Sequence, residues 1–597
     1  MKITSKELRE KWLNFYKERG HVDIGAVSLI GDGSTGVMFN VAGMQPLMPY
    51  LLGKKHPQGT RLCNVQGCVR TIDIDEIGDE THFSFFEMMG NWSLGDSFKK
   101  EKTQWSFDLL TKVFGFDKDK LCTTVFAGSD ACPRDEETAK LLQEIGVKKE
   151  NIFYLKDNWW DLPGTLETPC GPDNEWFYPK HDKACGPNCG PDCGCDRYVE
   201  IGNDVYMQFC VHEGKKYTEL PNKNVDTGFG FERNLMFLNG IQDGYKTDIF
   251  TEVISFIEQK SGKKYGEDKQ STKAMRIIAD HIRTATMLIG DVNGILPSNV
   301  GAGYILRRLL RRAIRFANTI ELEKGSLAQI SQIFIDKVYN EAYPLLVEKK
   351  DYIMNEIAKE EEKFQRTLDG GLREFNKLID NLTRFAPDNK KISGDKAFRL
   401  YDTFGFPIEV TVELAKERGF VVDEEGYKKA FELHQEKSHS AVAGDFKGGL
   451  VDHDERTTRL HTATHLLHNA LSVILGQECK QMGSNITAER LRFDFSFDRK
   501  LTAEELKAVE DRVNEAIKKN IPVVLSEKSV AQAKADGAIG VFDSKYGDVV
   551  KVYSIEGYGA EICGGPHANN TSELKSFKIL KEEASSAGVR RIKATID

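Results

Sequence analysis

Nothing in this sequence suits a bilayer, and neither of the common glycine-rich phosphate motifs is in a position to work. Its 597 residues hold no run of eighteen apolar side chains, the length a spanning helix needs. The opening Met1-Lys-Ile-Thr-Ser-Lys6 lacks the apolar core of a signal peptide, so the cytoplasm is the expected compartment. No G-x-G-x-x-G stands between a strand and a helix and no G-x-x-x-x-G-K-[ST] occurs, so neither a Rossmann nor a P-loop nucleotide site is supported. The net charge of -9 excludes indiscriminate nucleic-acid binding by the whole surface and leaves room for a local basic stripe. Twelve cysteines in a chain of this kind point to metal or free thiols rather than to a disulfide framework. The length calls for two to four domains.

What is present begins to speak near the end. In Leu460-His461-Thr-Ala-Thr-His465-Leu-Leu-His468 there is no glycine or proline, and apolar residues keep helical spacing through Leu475. His461 and His465 therefore project from one helical face. About a hundred residues later Cys563-Gly-Gly-Pro-His567 places a thiol and an imidazole around a tight turn. Either half alone reads equally as packing; together they form a donor set that suits Zn²⁺.

These two runs, followed by Ala587-Gly-Val-Arg-Arg-Ile592, resemble the zinc-containing proofreading domain of the alanyl-tRNA synthetases. The resemblance implies His461, His465, Cys563 and His567 as metal ligands, Cys563 and Gln481 as editing residues, and a synthetase earlier in the chain. That earlier part is found. Cys68-Val-Arg70-Thr-Ile-Asp73 and His82-Phe-Ser-Phe-Phe86-Glu87 through Gly95-Asp96 look like the second signature motif of class II synthetases, and Val225-Asp226-Thr-Gly228-Phe-Gly230-Phe-Glu-Arg233 like the third. An arginine at a strand end, an acidic loop and a returning aromatic strand suit an antiparallel pair that grips a triphosphate and stacks a base.

By that likeness ATP is held by Arg70, Asp73, Phe86, Gly228, Gly230 and Arg233 together with Mg²⁺. Arg70 would hold the α-phosphate, Phe86 would stack on adenine, and Arg233 would bind the far end of the nucleotide. Alanine would be held by Trp160, Asn203, Val205 and Asp226, with Asp226 at the ammonium. Arg70, Asp226 and Arg233 carry the catalytic expectation. Taken singly, either arginine is more readily a surface ion pair, and Trp160 is as readily a core aromatic.

Two features depart from the family pattern. A Gly-Gly-Lys insertion that often follows the motif-two arginine is replaced here by Thr71-Ile72-Asp73, so no lysine contact to ATP is carried over. Then Cys185-Gly-Pro-Asn-Cys189-Gly-Pro-Asp-Cys193-Gly-Cys195 sets four thiols between Gly-Pro turns, either reduced cysteines in a loop or the wrapping of a second, structural Zn²⁺.

Beyond residue 246 the pattern is helical. Lys273 to Ile289 is one amphipathic run. Gly303 to Arg315 is another, with Arg307, Arg308, Arg311, Arg312 and Arg315 on a stripe that no acidic residue interrupts. Such a stripe suits an RNA backbone. In the resembled family this region reads the G·U pair of the tRNA(Ala) acceptor stem, and Pro297-Ser-Asn299 and Leu400-Tyr-Asp402 match the two motifs concerned. The tRNA-binding expectation is thus Asn299, Arg307, Arg311 and Asp402.

The expected architecture is α+β and multidomain. A class II antiparallel sheet with flanking helices occupies 1–245 and a helical acceptor-stem domain 246–437. A linker over 438–459 leads to an α+β zinc-containing editing domain at 460–597. Relatives commonly insert a β-barrel between the halves and add a C-terminal domain that supports dimers and tRNA binding. Their lack here leads to the expectation of a monomer. The implied activity is ATP-dependent attachment of alanine to tRNA(Ala), with hydrolysis of Ser-tRNA(Ala) and Gly-tRNA(Ala). An inactive tRNA-binding relative, or a hydrolase of mischarged tRNA alone, are the rival readings. The reason for two sites is energetic: a pocket for a methyl group discriminates against glycine or serine by only about 1–3 kcal/mol.

Overall fold

Leu8, Trp12, Phe15 and Tyr16 give the first helix, Ser5–Lys17, its buried stripe, and Thr4 with Glu7 closes its start as a capping box. Two units follow from the contacts of the computed structural model, Met1–Glu424 and Glu425–Asp597. The structure describes all residues but 1, 32–36, 72, 73, 75, 131, 163–165, 196, 215, 387, 388, 441–454, 477, 478, 488, 530, 531, 534, 535, 537, 539–548 and 587. Nothing is described of the side chains of 434–440, 549 and 586.

The first unit is built on β1 (Val22–Asp23), β2 (Arg61–Val69), β3 (Phe85–Leu94), β4 (Cys122–Phe126), β5 (Ile152–Leu155), β6 (Trp159–Trp160), β7 (Thr168–Pro179), β8 (Tyr198–His212) and β9 (Lys216–Gly230). Among the described residues they form one sheet in the order β1-β2-β3-β9-β8-β7-β4-β5, with β6 on β7. Its centre is antiparallel, and only β1–β2 and β4–β5 pair in parallel. The Arg70 loop and aromatic return strand are the antiparallel pair β2–β3, with Val69 opposite Phe85. The chain's G-x-G-x-x-G match, Gly31 to Gly36, follows the isolated bridge of Ile30 with Phe39 rather than a strand, and 32–36 lie outside the described residues.

Helices cover this sheet and are tied to it by buried polar bonds. Helix Lys269–Gly290 receives Ser84 N on Asp280 Oδ1 at 2.9 Å and sends Arg283 to the Phe85 carbonyl and to Glu232, the latter at 2.9 Å. Next come Gly301–Thr319, Lys350–Phe385 and Gly394–Phe404. Short strands β10 (Lys391–Ile392) and β11 (Val421–Val422) pair in parallel.

In the second unit, helices Glu455–Leu475 and Ala503–Lys519 belong to one core with the sheet of β12 (Gln481–Ile486), β13 (Leu491–Ser496), β17 (Phe577–Ser586) and β18 (Val589–Ile596), ordered β12-β13-β18-β17. Leu460, Leu467, Phe493, Phe495, Val513 and Ile592 are at the centre of that core. A three-stranded sheet joins β14 (Val523–Ser529), β15 (Val549–Ile555) and β16 (Gly559–Ile562). The expected linker 438–459 is helical at both ends, since one helix runs through Ser440 and the next begins at Glu455; its middle, 441–454, lies outside the described residues. No helix among the described residues is long and apolar enough to cross a membrane.

Candidate functional site

The register of three strands brings most of the sequence-selected residues onto one face. Across β3–β9, Met88, Gly90 and Trp92 stand opposite Gly230, Gly228 and Asp226. Across β8–β9, Asn203 and Val205 stand opposite Gly228 and Asp226. Directly opposed residues share a face and so do alternate ones, which puts Phe86, Asn203, Val205, Asp226, Gly228 and Gly230 on one surface. Burial agrees: Phe86 and Met88 are partly open while Phe85, Glu87 and Met89, which alternate with them, are buried.

Above this surface a cleft of about 240 Å³ is lined by Arg70, Phe86, Asn203, Gly228, Gly230 and Arg233, among others. The Arg70 guanidinium lies 4.9 Å from the Phe86 ring centre, and its Nε donates to the Val41 carbonyl at 3.2 Å. Arg233, in the first turn of helix Phe231–Asn239, donates to Glu200 at both its carbonyl (3.1 Å) and its carboxylate (3.3 Å). Gly228 is required by close approach: a Cβ there would come within 2.9 Å of Met88 Sδ and 3.3 Å of Asn203 Oδ1. Asp73 lies outside the described residues.

Two ladder steps from Gly228, about 7 Å along the strand, Asp226 closes the same face. Its Oδ1 accepts Trp92 Nε1–H at 2.6 Å, and burial pushes its carboxyl up to about 7 against that pull. Trp160 packs against the apolar cluster that contains Val205 and Trp92, so a small side chain placed beside Asp226 meets an apolar wall. Gly90 gives the Trp92 ring its place, since a Cβ there would fall 2.3 Å from it. Sequence reasoning missed Trp92, Met88 and Glu200. For the first two the signal was present, because they alternate with Phe86 along one strand.

Asn299 is exposed and its side-chain oxygen accepts from Arg307, which also donates to the Pro297 carbonyl at 2.9 Å. Asp402 is exposed on helix Gly394–Phe404. Arg311 pairs with Glu360 at 2.9 Å and reaches the Gly405 carbonyl. The reading of an unopposed arginine stripe needs correction. Its acids come from other helices: Glu360 meets Arg307 and Arg311, while Glu413 meets Arg312 and Arg315. Arg312 and Arg315 are 4% and 3% exposed, so they are internal struts and no phosphate backbone reaches them.

The second unit gathers His461 and His465 from helix Glu455–Leu475 with Cys563 and His567 from the turn after β16. One donor atom from each lies within 4.8 Å of all the others. His461 Nδ1 is 3.0 Å from the Pro566 carbonyl, which can only accept, so Nε2 keeps its lone pair and faces Cys563 Sγ at 3.3 Å. His567 Nδ1 bonds Thr462 Oγ1 at 3.2 Å, and its Nε2 is buried without a hydrogen-bond partner. Burial pushes His461 down to about 4 and lowers His465 and His567 as well, which keeps the imidazoles neutral. A buried, partnerless ring nitrogen beside two neutral imidazoles and a thiol fits a zinc ion. Glu561 stands behind them, 3.5 Å from His465 Nε2 and 2.9 Å from His468 Nδ1. Gln481 opens β12 two residues after Cys479, whose carbonyl bonds His468 Nε2 at 2.8 Å. A third cluster, Glu167, Cys210 and His212, does not fit a metal, since Glu167 and Thr218 occupy both ring nitrogens of His212.

Comparison with known proteins agrees with this arrangement. The profile of class II (A) tRNA synthetases matches residues 7–490, and that of the second additional domain of threonyl and alanyl tRNA synthetases matches 550–593. The chain is 48% identical over 594 residues to the alanine–tRNA ligase of Borrelia hermsii, covering 99% of each. It is 49% identical over 599 residues to that of Treponema denticola, covering 100% of this chain and 99% of the other. To that of Thermoanaerobacter pseudethanolicus it is 34% identical over 708 residues, covering 99% of this chain and 79% of the relative. Near-complete coverage at close to half identity, on a class II sheet followed by the second additional domain, means that the chain belongs to the alanine–tRNA ligase family of class II synthetases.

Proposed function

We propose that this chain joins alanine to the 3′ end of tRNA(Ala) through alanyl-adenylate, using ATP, and clears seryl and glycyl esters in its second unit. The observation that carries the reading is the shared face of Phe86, Asn203, Val205, Asp226, Gly228 and Gly230 under Arg70 and Arg233. Asp226 as carboxylate takes the ammonium, Asn203 the amino-acid carboxylate, and Trp160 with Val205 the methyl group. Phe86 stacks on adenine, Arg70 takes the α-phosphate, and Arg233 takes the terminal phosphate. The alanine carboxylate oxygen forms a bond to the α-phosphorus as the bond to pyrophosphate breaks, and the two arginines hold the charge that develops. The tRNA ribose hydroxyl then attacks the acyl carbon, loses its proton and releases AMP. Glu200, which lines the cleft beside Arg233, is placed to take the Mg²⁺ that accompanies ATP.

Residues 1–245 carry this chemistry in our reading. Residues 246–437 read the acceptor stem through Asn299, Asp402, Arg307 and Arg311. Asn299 and Asp402 are exposed, as readers of a base pair must be. Residues 460–597 edit. There His461, His465, Cys563 and His567 would hold zinc, which when bound supplies a Lewis acid at this point. Pro566 and Thr462 fix the rings of His461 and His567, and Gln481 stands beside the ester.

The test has two arms. Alanine-dependent exchange of pyrophosphate into ATP is expected in the parent and lost in Asp226→Ala; no exchange in the parent overturns the synthetase reading. Cys563→Ala is expected to alanylate normally and to release Ser-tRNA(Ala), and clearance equal to the parent's overturns the editing reading.

A further inference from the structure

Between β7 and β8 lies a stretch, residues 181–195, that is mostly exposed and has no apolar side chain larger than proline, yet it brings four thiols together. Cys185 Sγ is 3.7 Å from Cys193 Sγ, and Cys189 Sγ is 3.9 Å from Cys195 Sγ. These are opposite edges of a four-sulfur figure, and all four sulfurs lie within 4.8 Å of one another. A zinc ion with four thiolates at about 2.3 Å has sulfur–sulfur edges of about 3.8 Å, which is the size of this figure. The 3.0 Å between Cys193 and Cys195 is well beyond a sulfur–sulfur bond of about 2.05 Å, and all four cysteines are free. We propose that Cys185, Cys189, Cys193 and Cys195 bind one Zn²⁺ that locks the β7–β8 connection onto the edge of the aminoacylation sheet.

The surroundings suit that charge and that role. Four thiolates around Zn²⁺ leave two negative charges, and Arg197 Nη1 donates to Cys189 Sγ at 3.5 Å while its Nε holds the His181 carbonyl at 3.1 Å. Gly190, midway in the loop, is buried so close to β5 that a Cβ would come within 2.8 Å of the Phe153 ring. Because β5 is the last strand in the order of the sheet, this contact sets the metal loop against a side chain of the edge strand. From Cys195 the chain needs only three residues to begin β8, whose Glu200 meets Arg233 in the cleft. Loss of the ion frees the start of the strand that carries Glu200 and Asn203.

The test uses the full chain and counts zinc by mass spectrometry after chelator-free gel filtration. Two zinc ions per chain are expected in the parent, one in a Cys189→Ser/Cys193→Ser variant and one in a Cys563→Ala/His567→Ala variant. Zinc content unchanged by the first double variant overturns the proposal; content unchanged by the second overturns the editing-site reading instead. Should Cys189→Ser/Cys193→Ser fail to fold, the decisive measurement moves to the Cys563→Ala/His567→Ala chain, whose loop is intact. Loaded with Co²⁺, it should show tetrahedral bands with thiolate charge transfer roughly fourfold that of a single-thiolate site. Iron in place of zinc, a disulfide among the four, or alkylation as fast in the zinc-loaded chain as after chelation would each overturn the assignment.

Discussion

Trp92 Nε1 donates to Asp226 Oδ1 at 2.6 Å across the β3–β9 ladder, so the carboxylate we propose for the alanine ammonium already rests on an indole. One oxygen is fixed and the other is left for the ligand.

That relationship sets a pH dependence. Burial holds the Asp226 carboxyl up at about 7, and only the carboxylate pairs with the alanine ammonium. The protonated form accumulates as pH falls through 7, so alanine KM in pyrophosphate exchange should rise about tenfold per pH unit below that point. Trp92→Phe removes a bond to the charged form worth about 1.5 kcal/mol and should move the midpoint up by about one unit. Asp226→Asn should raise KM by about a hundredfold at pH 8 and give a flat profile, so that the gap to the parent closes as pH falls. A flat profile between pH 5.5 and 8 would contradict the role given to Asp226.

Gly228 is constrained by space rather than by backbone conformation. Its missing Cβ would press on Met88 Sδ and Asn203 Oδ1. Met88 can swing aside, so Gly228→Ala should cost the fold only about 1 kcal/mol. The displaced Met88 and Asn203 enter the cleft, however, and KM for ATP and alanine should each rise about tenfold. Steady-state kinetics beside a melting curve checks both halves of this expectation.

The site face was legible in the sequence because period-two spacing in Phe86, Met88 and Trp92, and in Asp226, Gly228 and Gly230, survives as strand geometry. The His461 and His465 pair was legible for the matching reason on a helix. What could not be read was the environment of the arginines. A stripe on helix Gly301–Thr319 looks the same whether it faces RNA or Glu413, because the answering acid is about a hundred residues away. Trp92 escaped notice because a tryptophan that bonds a buried carboxylate and one that fills a core share the same sequence signal.

The corrected stripe makes a contrast between two of its members. Arg312 donates to the Ile74 carbonyl at 2.9 Å and to Glu413 at 3.0 Å in a buried setting. Arg312→Ala leaves the buried Ile74 carbonyl without its donor and Glu413 with Arg315 alone, and should cost about 2 kcal/mol of stability. Arg307 instead holds the exposed Asn299 loop. Arg307→Ala should melt close to the parent and lower tRNA alanylation about tenfold while leaving pyrophosphate exchange unchanged. Loss of exchange in Arg307→Ala would show that it, too, serves the first unit's fold.

His468 offers the sharpest stability test in the second unit. Both of its ring nitrogens face acceptors, Glu561 at 2.9 Å and the Cys479 carbonyl at 2.8 Å. A neutral imidazole donates only once, so the trio holds two protons only as an imidazolium beside a carboxylate or as a neutral ring beside a carboxylic acid. The Glu561 carboxyl is held below its usual range by His465 and His468 against the cost of burial, which favours the ion pair. His468→Ala leaves the buried Glu561 carboxylate with only the longer contact to His465 and should destabilise the unit by about 3 kcal/mol. His468→Gln keeps one donor and should recover about half of that. Because Glu561 also reaches His465, and the Cys479 carbonyl lies two residues before Gln481, clearance of Ser-tRNA(Ala) should fall with stability in both variants while alanylation holds. Thermal melts paired with deacylation rates decide it: full clearance in a destabilised His468→Ala chain would detach this network from the editing site.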